Sequence, residues 1–370
     1  MNNPVILLGN GIRANPVLVE YLCGLGVPIL TTWMAADLLP EDHPSFCGRP
    51  GIYGQRAANI IQQKASHLYC FGARLDEGQV AYRYDKFVPN GNKIVCDIDQ
   101  AELDKLPDDG TWYKFHGGLA QIATFERGDP AWLSWCKALY ARFRPELDGQ
   151  DNEKYIDPFR FISLLSDYAQ SDDIIVSGDA KAGETFLQAF RVKAGQRLIH
   201  LSTNGAMGYD IPMAIGAAIA SGRRVLCVTG DGSFMLNAQE LELVRRYKLP
   251  IQFFIYSNNG YASIRAMQKA RFNGRVVGAD PESGLTLTPL SKIAECYGLD
   301  YQRIPSLGWP EGFVGQLIEL MIDPDFMHVP RVATSFINNE WQQDNMEDMT
   351  PKLPANELRE IMEWDGWNIT

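Results

Sequence analysis

The sequence predicts an α/β protein: two doubly wound, parallel, Rossmann-like sheets followed by a C-terminal arm. Three observations carry that prediction. Short, wholly apolar runs of strand length recur along the chain, helical segments separate them, and glycine-bearing turns close them. The 370 residues are too many for one typical core, and at roughly 150 residues per domain two are expected. The boundaries read as a central Rossmann-like domain over 1–150, a second domain over 151–340 and an arm over 341–370.

The first strand is Val5–Leu8, which turns through Gly9-Asn10-Gly11 into an expected helix. A second strand spans Val27–Thr32. A helix over Gln55–Lys64 leads to Leu68–Phe71 and the turn Gly72-Ala73-Arg74, and Lys93–Asp99 is the next strand. Residues 100–157 read as irregular, being rich in Asp, Gly, Pro and Trp. A second alternating series begins at Pro158, with strands expected at Asp173–Ser177, Arg224–Thr229, Pro250–Ser257 and His328–Phe336. From Asn338 onward, Trp341, Trp364 and Trp367 among charged residues suggest an arm packed on a surface.

Composition excludes several classes. Charged residues make up 21% and hydrophobic ones 46%, which is ordinary globular usage. The net charge of -11, without a basic run, disfavours nucleic-acid binding. Seven cysteines form no C-x-x-C pair, and most sit in apolar runs, as reduced thiols do. No apolar run reaches membrane-span length, and Met-Asn-Asn-Pro has no signal-peptide character. A cytoplasmic protein is expected, with no nucleic acid or membrane as partner.

Gly9-Asn10-Gly11-Ile12-Arg13-Ala14 fits the G-x-G-x-x-A dinucleotide pattern. The acidic residue expected about 20 positions later is missing, since the second strand ends in Thr31-Thr32-Trp33. A tight turn in a Rossmann-like sheet is the better reading.

The second glycine motif carries chemistry. Strand Arg224–Thr229 runs into Gly230-Asp231-Gly232-Ser233, and strand Ile251–Tyr256 ends in Ser257-Asn258-Asn259-Gly260-Tyr261. Parallel strands joined by a crossover helix bring both ends to one sheet edge, where ligands bind. A carboxylate, an amide oxygen and a backbone carbonyl suit a hard cation such as Mg²⁺. Gly230 and Gly232 allow close approach of the backbone, and Ser233 with helix-start amides can donate to phosphate. Asp-Gly and Asn-Gly alone are common turn pairs; their joint order and spacing set them apart.

These residues resemble the thiamine-diphosphate signature of acetolactate synthase-like enzymes, Gly-Asp-Gly followed after a helix by Asn-Asn. Gly205-Ala206-Met207-Gly208-Tyr209 with Pro212 and Ala214–Ala217 resembles the stretch preceding it, and Asn259–Arg265 its continuation in one branch. Gly51–Gly54, Gly72–Asp76 and Asp97–Asp99 resemble landmarks of the family's central domain. The resemblance implies thiamine diphosphate and Mg²⁺ as cofactors, with the metal on Asp231, Asn258 and the Gly260 carbonyl. It implies a diphosphate against Gly230, Gly232 and Ser233. It implies catalytic contacts from Gly205, whose carbonyl accepts from the aminopyrimidine, and from Met207, which props the bend between the rings; outside this context Met207 would read as core. Tyr261, Ile264 and Met267 would shape the substrate pocket, or serve as ordinary core. FAD stays open, since Gly9-Asn10-Gly11 stands where the family has a fuller glycine run.

The family's pyrimidine-binding domain, with its catalytic glutamate, has no counterpart here. The resemblance then implies a split enzyme whose partner chain carries that domain, in the simplest case a heterotetramer; an excised fragment is the other reading. The expected reaction is decarboxylation of a 2-keto acid to an enamine, followed by protonation or by transfer of the acyl group to a carbonyl acceptor. Met267 stands where acetolactate synthases have a tryptophan, which points away from acetolactate synthesis itself. Tyr-Ala-Ser-Ile-Arg and the tail Met346–Pro351 favour a carboligase branch. Gly178-Asp179-Ala180-Lys181 departs from a Gly-Ser-like phosphate contact, and Lys181 is expected to point into solvent rather than at diphosphate. Two other classes remain: a non-catalytic cofactor-binding scaffold or regulatory subunit, and a nucleotide-dependent oxidoreductase using Gly9-Asn10-Gly11.

Overall fold

The computed structural model describes residues 3–117, 128–144, 151–201, 204–305 and 312–364. Its contacts divide the chain into two units, Met1–Pro145 with Val329–Thr370, and Glu146–His328. Each unit holds one all-parallel α/β sheet, which bears out the expected fold class.

The first unit runs through β1 (Pro4–Leu8), α1 (Pro16–Cys23), β2 (Ile29–Thr31), α2 (Arg56–Gln63), β3 (His67–Phe71) and β4 (Asn92–Asp97). Then come α3 (Gln100–Asp104), β5 (Trp112–His116) and α4 (Pro130–Arg142). The sheet order is β2-β1-β3-β4-β5. Residues 100–157, expected to be irregular, thus hold an edge strand and a 13-residue helix. The start of α4 follows a local rule the composition concealed. Asp129 caps the Ala131 amide at 2.9 Å while Pro130, which has no N–H to satisfy, takes the first helical position.

Gly9-Asn10-Gly11 opens a short 3-10 turn, Asn10–Ala14, rather than a helix. The Gly9 amide donates to the Phe71 carbonyl and the Gly11 amide to the Gly72 carbonyl. A Cβ on Gly9 would lie 2.0 Å from the Gly72 oxygen. These glycines are explained by close packing of two strand-end turns, and α1 begins later with its own cap, Asn15 accepting from Leu18 at 3.1 Å.

The second unit holds α5 (Pro158–Tyr168), β6 (Ile174–Ser177), α6 (Ala180–Ala189), β7 (Arg197–His200), α7 (Asp210–Ser221), β8 (Val225–Gly230) and α8 (Asp231–Met235). It continues with α9 (Leu241–Tyr247), β9 (Ile251–Ser257), α10 (Ala262–Arg271), α11 (Leu290–Tyr297), β10 (Tyr301–Ile304) and β11 (Leu317–Met321). The order is β10-β11-β9-β8-β6-β7. Val225–Val228 and Phe253–Tyr256 are buried on both faces, which is why they read as unbroken apolar runs. The strand expected at His328–Phe336 is not in this sheet. Leu317–Met321 occupies the place beside β9, and Thr334–Ile337 (β12) instead pairs with Glu340–Gln343 (β13) in an antiparallel ribbon of the first unit.

After β13 the chain stays on the first unit. Met346 and Met349, and Ile361 from the closing helix α12 (Ala355–Glu363), belong to its core. Trp364 stacks on Trp135 at 4.8 Å between centroids; Trp367 lies outside the described residues. Helix α2 is buried throughout although half of it is polar, and the returning chain answers its polar groups: Arg56 donates to the Met349 carbonyl at 3.1 Å and to that of Pro351. Among the described residues no helix is long and apolar enough to cross a membrane.

Candidate functional site

In the second sheet the chain leaves β6 toward β7 on one side and continues from β8 to β9 on the other. The strand order therefore reverses between β6 and β8, and open α/β sheets bind ligands at the carboxyl ends flanking such a point. The residues after these strands line one cavity of about 250 Å³: Asp179–Ala182 after β6, Gly205 and Met207 after β7, Gly230, Gly232 and Ser233 after β8, and Asn258 with Gly260–Ile264 after β9.

Asp231 is 5% exposed and organises the β9 turn. Its Oδ2 accepts from the Asn258 and Gly260 amides, both at 3.1 Å, and Oδ1 accepts from Gly232 at 2.7 Å. Burial pushes its carboxyl up to about 6, opposed by the amides of Gly260, Gly232, Asn258 and Asn259. The outer edge of the Asn258 amide sits 3.2 Å from Asp231 Oδ1 and 3.0 Å from the Gly260 carbonyl oxygen. With its oxygen on that edge, three oxygens crowd together with no proton between them. Turned over, its NH₂ donates to both neighbours. A cation favours the first orientation, and cis ligands of an octahedral Mg²⁺ at 2.0–2.1 Å stand about 2.9 Å apart. The donor set and its spacing fit a hard divalent ion. No group of three or more His, Cys, Asp or Glu side chains among the described residues is arranged to hold a metal. Asp231 borders not the cavity of about 250 Å³ but a second one of about 350 Å³, with Ser257, Asn259 and Glu319; Asn258 and Gly260 line the first.

Ser233 is engaged within the protein. Its hydroxyl donates to Asp210 Oδ2 at 2.8 Å and accepts from the Gly208 amide at 2.8 Å. It thereby ties the start of α8 to the turn that carries Gly205 (φ 52°) and Met207. Asp210 also accepts from the Thr229 hydroxyl at the end of β8 and from its neighbour Ile211. Burial holds the carboxyls of Asp210 and Asp179 above their ordinary range, and for Asp179 the nearby Asp210 adds to the rise.

Lys181 departs from expectation. It is 7% exposed, not in solvent, and its ammonium donates to the Phe326 carbonyl and lies 5.8 Å from the centre of that ring. Burial lowers it to about 8. Ala180 before it adopts a left-handed φ of 49°, a conformation that favours glycine. Ile264 lines the cavity and is 37% exposed; Met267, nearly one helical turn further along α10, is 40% exposed and does not line it.

Sequence reasoning missed Asp210 and Arg265. Arg265 is 3% exposed, and its guanidinium reaches the Asn258 and Asn259 carbonyls. The signal for Asp210 was a carboxylate opening an apolar helix; for Arg265, a cation three residues after Ala262, on the one buried edge of a mostly exposed helix.

Two family models match. Residues 1–113 match the central domain of thiamine pyrophosphate enzymes, and 181–313 match their C-terminal TPP binding domain. Among curated proteins, the large subunit of acetolactate synthase isozyme 2 from Escherichia coli (strain K12) is 27% identical over 346 residues, covering 91% of this chain and 61% of that protein. The isozyme 1 large subunit from the same organism is 28% identical over 354 residues, with the same coverage. A probable acetolactate synthase large subunit from Methanocaldococcus jannaschii is 29% identical over 327 residues, covering 82% of this chain and 53% of that one. The chain thus spans about three-fifths of the length of these relatives.

Proposed function

The chain belongs to the thiamine pyrophosphate enzymes of the acetolactate synthase-like type, and from that premise we propose that it supplies the metal–diphosphate half of a 2-keto acid decarboxylase/carboligase. The observation that carries this reading is the convergence of Asp231 Oδ1 and the Gly260 carbonyl on one edge of the Asn258 amide, at 3.2 and 3.0 Å, where β8 and β9 end beside the switch-point cavity.

Thiamine diphosphate, when bound, supplies the electron sink that lets a 2-keto acid lose CO₂ and pass its acyl carbon to a carbonyl acceptor. This chain's residues bind and orient. Asp231, Asn258 and Gly260 hold Mg²⁺. Gly230, Gly232 and Ser233 would present their backbone to the diphosphate, while the Ser233 hydroxyl, already spent on Asp210 and Gly208, holds the start of α8 in place. The Gly205 carbonyl would accept from the cofactor's aminopyrimidine, and Met207, which lines the same cavity, would pack against the cofactor. Tyr261 and Ile264 form the wall nearest the substrate, with Met267 further out.

The catalytic glutamate comes, in this reading, from a pyrimidine-binding domain on a partner chain. An exposed apolar face of α7 supports a partner: Met213 is 36% and Ile219 58% exposed, with Leu236 at 48% on the neighbouring segment. Two copies of each chain make the simplest closed assembly. Seven free thiols suit a reducing cytoplasm.

The test is calorimetric titration of thiamine diphosphate with Mg²⁺ into the purified chain and into any complex that co-purifies with it. Binding that disappears in Asp231→Ala, with turnover of a 2-keto acid by the complex, is the expected result. Absence of binding in both preparations would sink the metal–diphosphate assignment. Cofactor binding by the complex without turnover would make the chain a scaffold.

A further inference from the structure

The metal loop is gripped by two opposite charges, one on its amides and one on its carbonyls. On one side its amides run into Asp231: Asn258 and Gly260 donate to Oδ2 at 3.1 Å. On the other, its carbonyls run into Arg265, which donates to the Asn258 and Asn259 oxygens, both at 3.3 Å. The same guanidinium donates to the Pro324 carbonyl at 2.5 Å, anchoring the loop to the segment after β11. Asp280 stands 3.8 Å away and offsets its charge. Asn259 takes a left-handed φ of 68° between the two gripped carbonyls and Gly260. Asparagine is among the few non-glycine residues that take this conformation readily, so the turn itself is local while its two flanking carbonyls are held from outside.

We propose that Arg265 is the positioning residue of the cation site. By holding the Asn258 and Asn259 carbonyls, it leaves the Gly260 carbonyl and the Asn258 amide as the oxygens that face Asp231. A loop free to rotate would offer any of three adjacent carbonyls and would lose the preset spacing. A buried guanidinium is suited to this task, since its planar fork reaches several carbonyls at once without deprotonating. Lysine, with one ammonium, cannot span them. The inference rests on the reading that Asp231, Asn258 and Gly260 hold the cation.

The test uses Mn²⁺ as a spectroscopic substitute for Mg²⁺. Free Mn²⁺ is counted by electron paramagnetic resonance during titration of the full chain with thiamine diphosphate present. Wild type, Arg265→Met, Arg265→Lys, Asp231→Asn and the surface control Lys269→Met are compared, with the Tm of each metal-free protein. Partners of this kind typically change metal affinity by about ten- to a hundredfold. Arg265→Met is expected to weaken Mn²⁺ binding at least about tenfold, Arg265→Lys to fall between it and wild type, and Lys269→Met to match wild type. Arg265→Lys keeps the test open if the methionine variant does not fold. Variants that lower Tm while binding Mn²⁺ within twofold of wild type would overturn the positioning role and leave the metal site standing. A wild type that binds Mn²⁺ no better than Asp231→Asn would overturn both.

Discussion

Gly232 and Tyr261 are in contact across the site: a Cβ built on Gly232 would lie 2.5 Å from Tyr261 Cδ1 and 2.6 Å from Cε1. The second glycine of Gly-Asp-Gly thus accommodates the ring that follows the Asn258–Gly260 loop. Gly232→Ala must push that ring, and the residues beside it, toward the cavity. We expect it to weaken thiamine diphosphate binding about tenfold or more, because the reading places diphosphate at this backbone. Tyr261→Ala removes the obstacle, so the double variant should lose less than the sum of the singles. Strict additivity in a calorimetric cycle of the four proteins would show that the ring does not transmit the change.

Part of this site was legible from residues alone, for a physical reason. Strands covered on both faces, such as β8 and β9, read as apolar runs, and a crossover between parallel neighbours forces their ends together. That places Asp231 near Asn258 without any structure. What was not legible depended on partners far along the chain. Lys181 can be buried because the Phe326 carbonyl, 145 positions away, accepts a hydrogen bond from its ammonium. Arg265 finds Pro324 at a separation of 59. Strand β11 was overlooked because Glu319 interrupts its apolar run, yet that side chain is satisfied by the Tyr301 hydroxyl. The run at 328–336 was misassigned because apolar composition cannot say which of two cores a segment serves; Val332 joins the first.

His200 makes stability depend on acid. Its ring is buried at the end of β7, 3.4 Å from the Ser177 carbonyl, and burial lowers its pKa to about 4 from an ordinary 6.5. The native state therefore resists a proton that the unfolded chain binds. Its contribution is complete above pH 6.5 and is lost as pH falls from 6.5 toward 4, a span worth about 3 kcal/mol. His200→Gln removes this titration. Thermal unfolding from pH 7 to pH 4 should show a shallower fall in Tm for the variant; parallel curves would assign the acid sensitivity elsewhere.

Gly9 distinguishes a packing glycine from a nucleotide-binding one. A Cβ there would lie 2.0 Å from the Gly72 oxygen and 2.3 Å from the Ala73 Cα, both backbone atoms that cannot swing aside. Gly9→Ala should therefore destabilise the first unit by about 2 kcal/mol or more in denaturant titration. The Mg²⁺ dependence of cofactor binding by the protein that remains folded should be unchanged. A variant as stable as wild type would remove the packing explanation for this motif.

Arg56 tests how the chain's last segment is held. This side chain is 6% exposed and donates to the Met349 and Pro351 carbonyls. Its neighbours on α2 reach the same strap: Asn59 donates to the Met349 sulfur at 3.2 Å, and Gln63 to Glu347 at 3.1 Å. The apolar share comes from Met346 and Met349, both within the first core. Arg56→Met keeps much of the volume but strands the buried Met349 carbonyl, while the Pro351 carbonyl, on an exposed residue, can turn to water. Charge-assisted bonds of this kind are worth about 1.5–3 kcal/mol each, and an unmet buried acceptor costs about as much again as a neutral bond. A loss of about 2–4 kcal/mol is expected. Hydrogen exchange locates it: amides of 346–350 should lose protection well before those of β1 and β3, since the sheet does not depend on the strap for its ladder. If the strap amides keep wild-type protection in Arg56→Met, the two methionines alone fasten it, and the polar face of α2 serves only to bury itself.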